Sequence, residues 1–421
     1  MARRKTIARG TALAAVASLA LAACSSAIDE GDTSTLSGND GEIAALKIGT
    51  LLPLTGSLAF IGPPGVSGVQ LAANEINAAG GVFGSDVVID YRNSSDASHP
   101  EIASDSVSAL IDEGVASIVG AASSSVSLNV VGDIANAGIV QISPANTSPA
   151  LSNSSPFYFR TAPPDTVQGS VLGNRIVDDG IKKLGILVFA DDYATSLRDV
   201  VQGVVEESGG EVTYGKAGEE FLTDVSDFAS IAQDVLATSP DGILVIAFDQ
   251  TKSIVPALVG VGFPADKLYL TGGNTANYSA DFEAGTMTGA QGTIPGANAS
   301  DAFKARLDDV NGAKLDSYAY SAESYDATML VALAALKGNG SDGQTIRDNL
   351  AAVSGVNGGT ECTGWVECSE LIAAGEDIMY QAVSGVGPLN ADNDPSSADV
   401  GLYVYDDANV PQWTETVSGE V

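Results

Sequence analysis

The chain has 421 residues, a hydrophobic fraction of 45%, and 53 acidic against 19 basic side chains, which gives a formal net charge of −34. The length and apolar content suit two packed domains, and an acidic surface of this size repels nucleic acid and anionic lipid headgroups, excluding both as ligands. With Cys24 at the end of the N-terminal apolar run set aside for a lipid, Cys362, Cys368 and the single histidine, His99, make a poor tetrahedral site, and neither a metal nor another cofactor is expected.

Arg3, Arg4, Lys5 and Arg9 form a basic start, and Thr11–Ala23 is an uninterrupted small and apolar run of 13 residues, too short for a stable membrane span. Residues 1–23 therefore read as a signal peptide. The run ends Leu21-Ala22-Ala23-Cys24, which resembles the bacterial lipoprotein box; small residues admit a peptidase and the Cys24 thiol is the nucleophile for a lipid. Each buried acyl methylene would add about 0.8 kcal/mol to membrane attachment, so the expected location is the outer face of the cell membrane. An ordinary signal peptide beside a cysteine is the alternative. Residues 24–43, rich in Ser, Gly and Asp without apolar periodicity, read as a tether. Removal of the signal takes the charge from −34 to −38.

From residue 44 the pattern alternates. Leu46–Leu52 is a strand ending in Pro53 and Gly56, followed by a helix over 65–79 in which Val66, Val69, Ala73 and Ile76 recur at helical spacing before Gly80-Gly81 stops it. Strands over 87–91, 116–120 and 139–143 alternate with helices over 99–113 and 125–137. A second set follows Pro163-Pro164: strands over 183–189, 210–214, 242–247 and 267–271 with helices over 193–208, 224–238 and 251–261. Such alternation predicts an α/β fold of two doubly wound, Rossmann-like lobes. Helices over 322–335 and 346–352 and late strands near 380–383 and 401–405 remain, and the economical solution is that they complete both lobes. The expected division is 44–162 with 297–395 for the N-terminal lobe and 163–296 with 396–421 for the C-terminal lobe, joined by three hinge crossings. Cys362 and Cys368 would close a short loop in an oxidising compartment.

In parallel sheets, ligands meet loops at the carboxyl ends of strands, where helix amino termini offer free N–H groups. The segments so placed are 53–62, 121–125, 143–148, 190–193 and 248–250. Ser123, Ser124 and Ser125 could cap the next helix or turn hydroxyls toward a ligand, and Asn146 and Thr147 occupy the equivalent place after the next strand. Tyr193 offers a flat wall or a phenolic hydrogen bond, with packing on its own helix as the bland alternative. Asp249 could pair with a ligand ammonium, or equally face solvent or cap a helix.

Taken together, Pro53-Leu54-Thr55-Gly56, Glu75-Ile76-Asn77-Ala78-Ala79-Gly80-Gly81, Gly120–Ser125, Ile142–Pro149 and Phe159-Arg160-Thr161-Ala162-Pro163 resemble the branched-chain amino-acid binding proteins of ABC importers, which have the type I periplasmic binding protein fold. The resemblance spans about Leu46 to Tyr405 and implies hinge closure on a small polar solute, an amino acid or related amide, and delivery to a membrane permease. It implies that Ser123 and Thr147, with Ser124, Ala145 and Asn146 beside them, grip a carboxylate, that Tyr193 and Phe248 close from the second lobe, and that Phe60 or Ile61 walls the pocket. Where the family often has an acid after the Gly-Gly turn, this chain has Asn274, so either Asp249 supplies the charge that meets an amine or the ligand is not an ordinary α-amino acid. The chain has no Gly-x-x-x-x-Gly-Lys-Ser/Thr loop, so energy for transport must come from a partner. Two alternatives stand beside transport: a sensor of the same fold that reports to a protein partner, and an enzyme acting in the cleft, disfavoured because His99 has no catalytic partners and no Gly-x-Ser-x-Gly elbow is present.

Overall fold

The computed structural model describes residues 43–223 and 225–420. The signal segment, Cys24 and nearly all of the tether lie outside the described residues. Among those described, no helix is long and apolar enough to cross a membrane.

Two sheets organise the chain. The first, five-stranded and parallel, runs β2 (Val88–Asn93), β1 (Lys47–Leu52), β3 (Ser117–Gly120), β4 (Val140–Ser143), β5 (Tyr158–Arg160). Its connecting helices are α1 (Gly62–Ala78), α2 (Pro100–Asp112) and α3 (Ser124–Asn136). β3 and β4 are buried throughout, as expected of parallel strands covered on both faces.

From β5 the chain passes through α4 (Asp165–Asp178) into the second sheet. That sheet has seven strands in the order β14 (Pro411–Glu420), β13 (Ser397–Tyr405), β10 (Gln291–Pro295), β9 (Leu268–Leu270), β8 (Gly242–Ile246), β6 (Lys183–Val188), β7 (Glu211–Tyr214). Helices α5 (Asp192–Glu207), α6 (Ala229–Ala237) and α7 (Thr251–Gly260) link its parallel part. β13 runs antiparallel to both β10 and β14, so this sheet is mixed at one side.

After β10 the chain leaves the second sheet for α8 (Asp301–Asn311), α9 (Ser321–Gly338), α10 (Gly343–Ser354), the short pair β11 (Thr360–Cys362) and β12 (Ile378–Tyr380), and α11 (Gly364–Ala373). It then returns with β13, having passed between the sheets three times. Ser321 to Ala335 of α9 is buried on every side, with Glu323, Ser324, Asp326 and Thr328 enclosed in its first turns and an apolar stretch from Met329 onward; α9 packs against α1 and α10, and shares a core with Ile48, Val119 and Ile142 of the first sheet. Cys362 and Cys368 are joined, with Cα atoms 5.2 Å apart, and tie β11 to α11.

Several elements differ from the sequence reading. The helix expected over 224–238 begins at Ala229. α4, α8, α11, β10 and β14 were not expected as elements. In α4 the glycines Gly169 and Gly173 blur a helical pattern, yet they are where Val200 and Val204 of α5 press closest.

Candidate functional site

In each sheet the strand order reverses beside the first strand of its parallel run, β1 with β3 and β6 with β8, and the loops at these points face one another. Ser125 Oγ donates to Asp191 Oδ2 (2.8 Å) and Asp192 Oδ2 (2.9 Å), and the Asp249 amide donates to the Ser57 carbonyl (3.1 Å). These bonds run from the first-sheet loops to the second-sheet loops, so the lobes meet in a closed arrangement.

Between them lies a small cavity of about 20 Å³. Ile61, Ser123, Ser124 and Ala145 line it from the first lobe and Tyr193 and Phe248 from the second. Tyr320 and the Gly272-Gly273 backbone complete it, together with Leu58 and Ala122.

The polar end is built by the start of α3. Ser123 is its N-cap, in extended conformation, and its hydroxyl accepts from the Val126 amide at a long 3.4 Å. Ser124 Oγ accepts from the amides of Thr147 (3.3 Å) and Ser148 (3.2 Å), which binds the 143–148 loop to the helix start. The first-turn N–H groups of a helix and their partial positive charge suit an anion.

The opposite wall is aromatic. Tyr193 and Phe248 stack with ring centroids 5.6 Å apart and 12° between planes, and Phe189 meets Phe248 edge-on at 4.8 Å. The Tyr193 hydroxyl donates to Thr271 Oγ1 (2.8 Å) and accepts from the Gly273 amide (3.1 Å), so the ring is held rather than free to reach a ligand with its oxygen. A Cβ on Gly273 would stand 2.9 Å from Phe248 Cε1 and 3.0 Å from Tyr193 Cε1. That backbone thus approaches the ring pair as only a glycine allows.

The structure brings together Ile61, Ser123, Ser124, Ala145, Tyr193 and Phe248 from the expected set. The others sit elsewhere. Phe60 is half-buried against the core beside the cavity. Asn146 is fully buried, donating to the Ala122 carbonyl and accepting from the Tyr158 hydroxyl. Thr147 does not line the cavity, and its hydroxyl is buried without a partner among the described residues. Asn274 is consumed by structure: its Oδ1 accepts from the Thr271 amide and hydroxyl, and its Nδ2 donates to the Val245 carbonyl and Thr251 Oγ1. Asp249 is 58% exposed and pairs with Lys252 at 2.9 Å, outside the cavity. It is therefore not positioned to meet a ligand amine there, because solvent and a neighbouring lysine already hold its charge.

The residue that sequence reasoning missed is Tyr320. It precedes α9 with φ 60° and ψ 11°, a left-handed conformation that is costly for an aromatic residue and concentrates at functional sites. That backbone carries its ring into the cavity, where the hydroxyl lies 2.5 Å from the position of a Gly272 Cβ. The visible signal was a tyrosine two residues before the helix expected over 322–335.

Two buried acids flank the closed contact. Burial pushes Asp191 up to about 6, against the Ser125 hydroxyl bond that lowers it, and pushes Asp165 up to about 7, against the Ser196 hydroxyl. Asp165 heads α4, and its amide donates to the Thr147 carbonyl at 2.7 Å. A carboxyl raised above its unfolded value contributes stability below the unfolded pKa and loses it as pH rises through the folded one. For Asp165 that window runs from about 4 to about 7. Asp165→Asn is expected to match the wild type at pH 4 and to exceed it by roughly 4 kcal/mol at pH 8, since about three pKa units at about 1.4 kcal/mol each separate the folded and unfolded carboxyl. Thermal melts of both proteins across this range check it; a gap that is constant or shrinks with pH would contradict the assignment.

The family model described as periplasmic binding protein matches residues 45–369. The chain is similar to the chemotactic signal transduction system substrate-binding protein BasB of Halobacterium salinarum, 27% identical over 83% of this chain and 84% of that protein. The structure resembles the branched-chain amino acid transporter substrate binding protein LivJ of Streptococcus pneumoniae in complex with isoleucine (TM-score 0.72, 22% identity, 90% of this chain and 100% of that one). It also resembles an ABC transporter solute binding protein of R. palustris in complex with 4-hydroxybenzoate (TM-score 0.73, 18% identity, 90% of this chain and 98% of that one).

Proposed function

The chain belongs to the periplasmic binding protein family, and from that premise we propose that it captures a small monocarboxylate solute with an apolar body, aliphatic amino acids first among them, and presents it to an ABC importer permease. One observation carries the reading: the start of α3 supplies hydroxyls and amides at one end of an interlobe cavity whose remaining walls are apolar and aromatic. As closed here the cavity measures only about 20 Å³, room for roughly one water, so a solute of amino-acid size enters only as the lobes part from this arrangement.

Capture proceeds by closure. A solute carboxylate first meets the α3 start and the Ser123 and Ser124 hydroxyls; the second lobe then brings Tyr193 and Phe248 over its apolar part. The bonds from Ser125 and Ser57 to the opposite lobe form only when the lobes meet, so a ligand that fits both walls favours the closed state. Among the described residues no carboxylate lines the cavity, so nothing there pairs with a solute amine, and an aromatic acid such as the one held by the R. palustris protein is a candidate solute beside the amino acids. The head works on the outer side of the membrane, as the family implies, and anchoring through a lipid on Cys24 belongs to this proposal. The name of the Halobacterium salinarum relative favours a second reading, in which the closed form signals to a membrane receptor instead of a permease.

Calorimetric titration with isoleucine, leucine and 4-hydroxybenzoate tests the proposal. Saturable binding of at least one is expected, and Ser123→Ala should weaken it by roughly 5- to 150-fold, since losing one buried hydrogen-bond partner costs about 1–3 kcal/mol. Failure of all three to bind, or an unchanged affinity in Ser123→Ala, would refute it.

A further inference from the structure

Tyr320 is a wall of two cavities. Beyond it lies a second and larger one, of about 540 Å³, bounded by the 275–277 and 294–297 segments, the 312–320 loop and the edge of the second sheet at Tyr403 and Trp413. Glu323, one turn into α9, lines it. This residue is only 3% exposed, and its carboxylate stands so close to Gly296 that a Cβ there would be 1.9 Å from Oε1. Among the described residues no other side chain donates to that carboxylate or forms an ion pair with it. The lysines that share the cavity are otherwise placed: Lys304 donates to Asn298 Oδ1 and lies over the Tyr318 ring, and Lys314 is exposed at the rim.

A buried carboxylate without a counter-charge is costly unless a cation arrives to pair with it. A metal ion would need several hard oxygen ligands, and among the described residues no group of three or more acidic, His or Cys side chains could hold one. An organic cation needs one carboxylate and aromatic faces, which attract positive charge through the ring quadrupole. Tyr403 and Trp413 supply such faces, and the overall charge of −34 raises the local concentration of cations. We propose that the second cavity binds a small organic ammonium ion, with the Glu323 carboxylate as its counter-charge and Tyr403 and Trp413 as its aromatic walls.

The groups facing Glu323 set the pH behaviour. Asp326 lies on its own helix, Tyr320 directly before it, Tyr403 on β13, Lys304 on α8, and Lys314, Asp316 and Tyr318 in the loop before α9. Burial raises the Glu323 carboxyl well above its usual range, its own amide working the other way and Asp326 adding to the rise. An ammonium ion must therefore displace a proton, and affinity grows with pH.

The test is calorimetric titration of the protein with tetramethylammonium chloride and with n-butylammonium chloride from pH 6 to pH 9, at ionic strength held constant with sodium chloride. Saturable binding of at least one probe is expected, strengthening by up to about tenfold per pH unit while Glu323 is protonated. E323Q should bind that probe at least tenfold more weakly and without the pH slope, while its melting temperature stays level or rises because a buried carboxyl has been neutralised. Which probe binds more tightly assigns a primary or a quaternary ammonium. Isoleucine and 4-hydroxybenzoate titrated into the same variant read the first cavity separately. No saturable binding of either probe at any pH, or equal affinity and slope in E323Q, overturns the proposal.

Discussion

Arg160→Met is expected to cost about 3–5 kcal/mol of folding stability, the usual consequence of leaving one half of a buried ion pair uncompensated. Arg160 is fully buried at the end of β5, with Nε 2.6 Å from Asp394 Oδ1 and Nη2 2.7 Å from Asp394 Oδ2. The same guanidinium donates to the Ser152 hydroxyl and to the Ser148 carbonyl, so it pins the loop after β4 to a segment 234 residues later. Loss of that clamp frees the amides that Ser124 holds, and solute affinity should fall with stability. Urea melts of Arg160→Met, Asp394→Leu and the double variant check the argument. Each single change should be severe and the pair of changes mild, because an apolar replacement of both partners removes the buried charge altogether. Equal and additive losses would show that the ion pair is not the link.

Gly273→Leu should abolish solute capture while leaving a folded protein. The Cβ alone enters the space of Phe248 and Tyr193, and the three further carbons have nowhere to go except the interlobe cavity. A weakening of at least about 100-fold is expected, roughly 2.7 kcal/mol, against an overpacking cost to the fold of about 1–3 kcal/mol. Titration of whichever solute the wild type binds, beside a denaturation curve, separates the two effects. Retained affinity in a folded Gly273→Leu variant would mean that the solute sits elsewhere.

Much of the architecture was legible because its signals are local. Lys183–Phe189 reads as a strand and β6 spans Lys183–Val188; Gly242–Ala247 reads as a strand and β8 spans Gly242–Ile246. Continuous apolar runs between turn residues mark buried parallel strands, and that signal survives without knowledge of neighbours. β14, by contrast, reads Pro411–Glu420 with alternating polar residues and an exposed Trp413, and it becomes a strand only because β13 pairs with it. β10 likewise depends on its partners, since Gln291-Gly292-Thr293-Ile294-Pro295 has weak strand character by itself.

What the sequence by itself determined is the alternation of strand and helix, the placing of Ser123, Ser124, Tyr193 and Phe248 at strand ends, and the solute-binding reading that follows from their family likeness. What only the tertiary structure decided is which of adjacent side chains faces inward. A step of one residue at a helix start turns a side chain by roughly 100°, so Ser123 and Ser124 line the cavity while Ser125 reaches across to Asp191, and Phe248 closes the wall while Asp249 stays in solvent. Tyr320 and Glu323 belong to the same side of that division: segments far apart in the chain converge on them, and no local period records which face of α9 will meet them.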